Sequence, residues 1–368
     1  MNQSSHPTPS HPALIPLPVP PGQIRFAYTT RRVNHADIAG LVMPDRAPET
    51  GQIVLARVVQ VGQHKKVELP AGREATIYPG DYLALSYGNR YAPDEFEAIL
   101  PDNLGPCQMV AGGGLAAREI ARNSAMDPAT VIRPLGLLAS AAGRPLNLGD
   151  YALRALPEPV RRPAVYVVCG TSINAGGSFT TREMVRGLRT LGMAVGAVKL
   201  TGSGAGSDPW RLRDCGASPV LDFTDAGYPS TYLLPLPTLE RIADSLLTHV
   251  AASGVDAIVV EIADGIRQAE TAALLQGDLL RAWCDAVVFA AADPVAARAG
   301  VDWLRERQLP VVAASGLMTA EPQVCLEAAE LLDVPVLNAA QLAYGEPLLE
   351  ALRLVPNGLP LISRSLAA

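Results

Sequence analysis

From Ala164 onward, short runs of apolar residues alternate with stretches of helical periodicity, and this alternation restricts the fold more than any other feature. The runs Ala164–Cys169, Ala194–Leu200, Ala257–Ile262, Ala286–Ala291, Val311–Ala314 and Val334–Leu337 are apolar at nearly every position. Strands of that kind are buried on both faces, as parallel strands are. Between them the spacing predicts helices over Thr180–Leu191, Leu239–Ser253, Gln268–Trp283, Pro294–Arg307, Pro322–Leu332 and Ala339–Leu352. Strand–helix alternation of this length gives an α/β fold with a doubly wound, mostly parallel sheet.

The preceding part reads differently. Residues 24–153 hold short strand candidates (Gln52–Val61, Lys66–Leu69, Asp81–Tyr87) separated by turn signals such as Tyr78-Pro-Gly-Asp81. This predicts a smaller β-rich domain, an antiparallel barrel or sandwich. A Gly112-Gly113-Gly114 turn is expected to open a helix over Leu115–Asn123. Residues 1–23 read as a disordered Pro-rich arm, since five prolines between Pro12 and Pro21 cannot sustain a helix. Residues 154–163, rich in Pro and Arg, read as a linker, and residues 164–368 as the α/β domain.

Composition narrows the function. Hydrophobic residues make up 49% of the 368, enough for a sizeable core, and the net charge is −6. A mildly acidic chain with 5% aromatics offers neither a nucleic-acid surface nor base-stacking platforms. No apolar stretch is long enough to span a membrane, and no basic region precedes an apolar run at the N-terminus, so a cytoplasmic protein is expected. The five cysteines are scattered without a CxxC pair and read as free thiols.

Three motifs carry chemistry. Val167-Val-Cys-Gly-Thr-Ser-Ile-Asn-Ala-Gly-Gly-Ser-Phe179 joins a buried strand to a helix through small residues. Backbone N–H groups in such a loop, with those at the helix N-terminus, converge on an anion. In a phosphate-binding loop a Lys follows the second Gly; here Gly176-Gly177-Ser178 stands in its place. A Gly-rich turn without a ligand explains this loop equally well. Second, Lys199 ends a buried strand and runs into Thr-Gly-Ser-Gly-Ala-Gly206. The chain has only three lysines, Lys65, Lys66 and Lys199, and ligands bind at the C-terminal ends of strands in doubly wound sheets. The plainer reading is a side chain that extends to water. Third, Glu261 in Val259-Val-Glu-Ile-Ala-Asp-Gly265 lies near a strand end, where a carboxylate can hold Mg²⁺ or cap a turn. The irregular stretch Leu221–Tyr232 reads as a pocket wall or as a plain surface loop.

In these motifs, taken in order, residues 163–338 resemble the dethiobiotin synthetase group of P-loop proteins, which includes the molybdopterin-guanine-dinucleotide adaptor proteins and cobyrinate amidating enzymes. The group's Gly-Thr-Asp-Thr…Gly-Lys-Thr loop corresponds to Gly170–Ser178, its Lys-Pro…Ser-Gly strand end to Lys199–Ser203, and its Val-Glu-Gly-Ala-Gly strand end to Val260–Gly265. The resemblance implies ATP or another nucleoside triphosphate held by Gly170, Thr171, Ser172, Asn174, Gly176, Gly177, Ser178 and Phe179. It implies Mg²⁺ among Ser178, Asp208 and Glu261, with Lys199 facing the phosphoryl-transfer centre. The reaction implied is ATP-dependent ligation or phosphoryl transfer to a small carboxylate, carbamate or amine. Gly177 for lysine and Leu200 for proline are departures from the pattern. A related P-loop family, typified by a D-glutamate N-acyltransferase, also joins another N-terminal domain to such a module, so the scaffold hosts other chemistry too. The alternatives are a non-catalytic ligand-binding protein with a degenerate loop and an adaptor that works through its β-rich domain. Whether Arg182, or an arginine from a second subunit of a homodimer, replaces the missing lysine is left open by the sequence.

Overall fold

A computed structural model describes residues 13–156 and 161–353. The first part contains strands β1 (Ile24–Phe26), β2 (Gly40–Val42), β3 (Ile53–Gln60), β4 (Lys66–Glu68), β5 (Glu74–Thr76), β6 (Tyr82–Tyr87), β7 (Arg90–Tyr91), β8 (Phe96–Ile99), β9 (Cys107–Ala111), β10 (Leu115–Arg122) and β11 (Thr130–Ala139). Strands β6, β3, β11, β9 and β10 pair in that order, and β10 returns to β6, which closes a small barrel. All the ring pairings are antiparallel except β10 with β6. The barrel expected from the turn spacing is therefore present.

One expected element is overturned. Leu115–Asn123 forms no helix; its first eight residues are β10, paired on both sides. Alanine-rich Leu-Ala-Ala-Arg-Glu-Ile-Ala-Arg has good helix propensity, but barrel closure buries Leu115, Ala116 and Ala117, and tertiary pairing outweighs propensity. Up to Pro12 the expected arm lies outside the described residues. Beyond it Ile15 exchanges backbone hydrogen bonds with Leu41, and Leu17 and Val19 pack on the barrel core. Of the expected linker, 157–160 lie outside the described residues.

The second part is the α/β fold anticipated from the alternation. Its elements are β12 (Ala164–Gly170), α1 (Gly177–Thr190), β13 (Val195–Lys199), α2 (Ser207–Asp214), β14 (Val220–Asp222), α3 (Leu236–Ala252), β15 (Ala257–Gly265), α4 (Ala269–Gln276), α5 (Asp278–Trp283), β16 (Ala286–Ala290), α6 (Pro294–Glu306), β17 (Val311–Ser315), α7 (Pro322–Leu331), α8 (Ala339–Tyr344) and α9 (Glu346–Leu352). The six strands are all parallel, in the order β14-β13-β15-β12-β16-β17. Along β12, Val165, Val167 and Cys169 join the core under α3 and α6, while Ala164, Tyr166 and Val168 join the core under α1 and α8. Period-2 alternation thus serves two apolar faces.

Glycine breaks two of the expected helices: Gly277 separates α4 from α5, and Gly345, at φ +83°, separates α8 from α9. Val334–Leu337 reaches the sheet only through a bridge from Val336 to Ala314. The chain leaves β12 across one face toward β13, and leaves β15 across the other toward β16. That reversal opens a crevice at the C-terminal ends of β12 and β15.

The barrel covers this crevice. Tyr28 Oη donates to Asp222 at 2.6 Å, and Arg31 Nη2 reaches Asp222 at 3.1 Å and Asp225 at 2.6 Å. Burial opposes ionisation of Asp222, yet Arg31, Thr224 and Tyr28 hold its carboxyl below the usual range. Leu221–Tyr232 is therefore neither pocket wall nor plain surface loop but the seat of the barrel. The two glycine runs also meet: a Cβ on Gly113 would stand 1.9 Å from the Gly204 carbonyl oxygen. The run at 112–114 allows close approach of two backbones rather than opening a helix.

Candidate phosphate-binding site

Strand β12 ends at Gly170, and the following loop turns sharply into α1. Asn174 at φ +65° and Gly176 at φ +96° make the turn. At Gly176 a side chain is doubly excluded, since a Cβ would also lie 2.8 Å from the Leu317 nitrogen. Gly176 is the N-cap of α1 and brings no capping side chain. Among the described residues the N–H groups of Ile173, Asn174, Gly176, Gly177, Ser178 and Phe179 donate to no backbone carbonyl. Such amides at the start of a 14-residue helix form an anion cradle.

The side chains expected from the sequence converge beside it. Register pairs Lys199 with Glu261 across β13 and β15. Ser178 Oγ donates to Glu261 Oε1 at 2.6 Å. Lys199 Nζ is ion-paired with Asp208, from the first turn of α2, and lies 3.9 Å from Glu261. Lys199 is 8% exposed and Glu261 3%. Burial works against the Lys199 charge, but Asp208 and Glu261 hold its ammonium above the usual range. Lys199 in turn lowers Asp208, whereas burial raises Glu261. The lysine is thus an internal cation between two carboxylates. Thr171 turns its carbonyl toward Gly265, Phe179 is exposed under Arg182, and Arg182 is not among the cavity-lining residues.

Loop, lysine and carboxylates open into a cavity of about 650 Å³ whose far wall is the barrel. All three lysines of the chain line it. From the barrel come His64, Lys65, Lys66, Glu68, Arg90 and Glu95, none of which sequence reasoning placed at a site. Lysine scarcity was the one signal for Lys65 and Lys66. Glu95 accepts from Arg90 at 2.6 Å and faces His64 at 3.4 Å; the His64 contact and the Arg90 charge hold its carboxyl at about 2. Glu68 accepts from the Gly206 N–H and so ties the β4–β5 hairpin to α2, and burial raises its carboxyl. Asn174 Nδ2 donates to Asp94 at 3.0 Å, which ties the loop itself to the barrel. Buried His64 Nδ1, Arg90 Nε and Asp94 Oδ1 have no hydrogen-bond partner among the described residues.

A parallel sheet with a Gly-rich turn from β12 into α1 is the doubly wound α/β architecture expected from the sequence. No protein-family model matches the chain, and no curated protein matches it. Among solved structures it is similar to a DUF1611 family protein from Anabaena variabilis (10% identity, 54% of this chain and 62% of that one, TM-score 0.38). It is similar to the signal recognition particle receptor FtsY from Elizabethkingia anophelis (14% identity, 48% and 58%, TM-score 0.34). A third is the 54 kDa signal recognition particle protein from Aeropyrum pernix K1, solved with GDP (16% identity, 53% and 47%, TM-score 0.35). The chain spans about half to three-fifths of the length of these structures.

Proposed function

We propose that the protein binds a nucleoside triphosphate, ATP in the first instance, with its phosphates on the N-terminus of α1, and transfers a phosphoryl group to a small molecule held against the barrel. The observation that carries this reading is the uncapped amide cradle set directly beside Ser178, Glu261 and Lys199. The loop is a Walker-type loop that has lost its lysine. Lys199, at the end of β13 with β15 between it and β12, brings the remaining cation to the site, at the position of the strand-end lysine of the dethiobiotin synthetase-like proteins that the sequence resembles.

Mg²⁺ suits the donor set. Ser178 Oγ and the Asp208 and Glu261 carboxylates are hard oxygen ligands, and Mg²⁺ in such sites is held by one or two carboxylates together with phosphate and water. Among the described residues no group of three or more His, Cys, Asp or Glu side chains could hold the ion. Ser178, Asp208 and Glu261 would hold it jointly with the phosphates, and the ion would supply charge neutralisation at the transferred group. Lys199 orients and stabilises negative charge there, so catalysis rests on positioning and electrostatics.

A second reading, binding without turnover, is favoured by Gly177 alone. Calorimetric titration of ATP, GTP and CTP with and without Mg²⁺ separates the readings. Mg²⁺-dependent binding with slow release of diphosphate supports transfer, and Mg²⁺-dependent binding without release supports the second reading. No binding at millimolar nucleotide refutes both.

A further inference from the structure

The cavity holds several carboxylates, and all but one are engaged. Glu68 accepts from Gly206, Glu74 from Lys66, Glu95 from Arg90, Asp208 from Lys199 and Glu261 from Ser178. Asp264 also lines the cavity, half-buried, with no hydrogen bond or ion pair among the described residues.

Its placement follows from an irregularity in the sheet. Val168 pairs with Glu261, but Gly170 pairs with Gly265, so β15 carries extra residues between them. The Ala263 carbonyl, left out of the ladder, accepts from Thr201 Oγ1 at 3.0 Å and Thr271 Oγ1 at 3.1 Å. Asp264 at the crest of this bulge is held at φ +69°. Bulges beside sites re-aim a side chain, and a left-handed non-glycine residue stores strain. Here the result is an unengaged carboxylate directed into the cavity beside the phosphate loop.

We propose that Asp264 is the general base of this site and that the phosphoryl acceptor is therefore an amine or hydroxyl compound rather than a carboxylate. The inference rests on the nucleotide reading above. A carboxylate acceptor carries no proton to remove, whereas an amine or alcohol does. The substrate's N–H or O–H bond gives its proton to an Asp264 oxygen while the freed pair forms the bond to the γ-phosphorus. The bond from that phosphorus to its bridging oxygen breaks, and its electron pair leaves with the nucleoside diphosphate.

The groups facing Asp264 are Lys199 on β13, Glu261 on its own strand β15, Arg90 on β7, Glu270 on α4 and Asp94 in the turn before β8. Burial outweighs the two cations and raises the carboxyl to about 6. A base so poised is charged at neutral pH and strong enough to take part of a proton in the transition state.

The test uses the full chain, Mg·ATP and wild type beside Asp264→Asn and Asp264→Glu. Asn tolerates the left-handed conformation, so the first variant keeps the backbone. ADP release is followed with glycinamide and glycerol as protonated nucleophiles, and with acetate and succinate as carboxylates. The pH profile is taken with glycerol, which does not itself titrate. The expected result is stimulation by glycinamide or glycerol, rising with pH through about 6, since the base must be ionised. Asp264→Asn then falls roughly a hundredfold or more and loses the pH midpoint, Asp264→Glu recovers part of the rate, and calorimetric ATP affinity stays within about twofold. Stimulation by the carboxylates alone, by none of the four, or equal rates in wild type and Asp264→Asn with ATP bound overturns the proposal and leaves the nucleotide reading standing. Failure of wild type to bind ATP overturns both.

Discussion

Restoring the missing lysine by Gly177→Lys probes the cradle directly. Gly177 is the first residue of α1, its φ lies outside the left-handed range, and a Cβ there would meet nothing within 4 Å. The substitution is thus sterically free. Replacing glycine in a helix gains up to about 0.7 kcal/mol, and a cation at a helix N-terminus costs about 0.3–1 kcal/mol. The two nearly cancel, so the melting temperature should move by no more than a few degrees, roughly what about 0.5 kcal/mol produces. Binding should change much more. An ammonium meeting the β- and γ-phosphates adds charge-assisted hydrogen bonds worth about 1.5–3 kcal/mol, roughly ten- to a hundredfold in Kd. AMP, which lacks those phosphates, should gain little. Calorimetric titration of ATP, ADP and AMP against wild type and variant reads the difference. Equal gains for all three nucleotides, or no gain for ATP, would refute the cradle.

Four further outcomes follow from the same geometry. Arg31→Met strips buried Asp222 of its cation and leaves Asp225 only Arg32, at 3.4 Å, and should cost about 3–5 kcal/mol in denaturant unfolding; a loss under 1 kcal/mol contradicts the barrel's attachment through this network. Lys199→Ala should abolish turnover while ATP affinity changes little, and Lys199→Arg should not restore it, because a planar fork replaces a compact charge; full activity of either variant removes Lys199 from the chemistry. Asp208 is held low by Lys199, so its contribution to stability is complete above its unfolded value of about 4 and is lost as pH falls through the lowered one; the melting-temperature gap between wild type and Asp208→Asn should narrow below that pH. Asp264 has the opposite sign: with its folded value raised to about 6, stability declines as pH rises from about 4 to 6, so Asp264→Asn should be more stable at pH 7 by about 2–3 kcal/mol and no more stable at pH 4. A variant less stable than wild type at pH 7 contradicts the raised value.

What the sequence made legible was what is local in the chain. Continuous apolar runs announce strands buried on two faces, and the run from Val167 to Ser178 carries strand, turn and helix start together. Lys199 was found because it ends such a strand and Glu261 because it is a carboxylate set in an apolar strand run, and parallel register then sets them side by side. What depends on distant partners was not legible. Leu115–Arg122 has helical composition, and only the closing of the barrel makes it a strand. Leu221–Tyr232 owes its polar residues to Tyr28 and Arg31, nearly 200 positions earlier. The barrel wall of the cavity, with His64, Arg90 and Glu95, exists only once the two parts are docked. Asp264 reads as an ordinary Asp-Gly turn until the offset between β12 and β15 shows that it crowns a bulge.

The most direct measurement is amide hydrogen exchange on the full chain with and without saturating Mg·ATP. If the phosphates sit on the uncapped amides at the start of α1, exchange over residues 171–179 should slow by tenfold or more, while 221–232, already buried under the barrel, should hardly change. Nucleotide binding that leaves 171–179 exchanging at the ligand-free rate would contradict the placement of the phosphates on this loop.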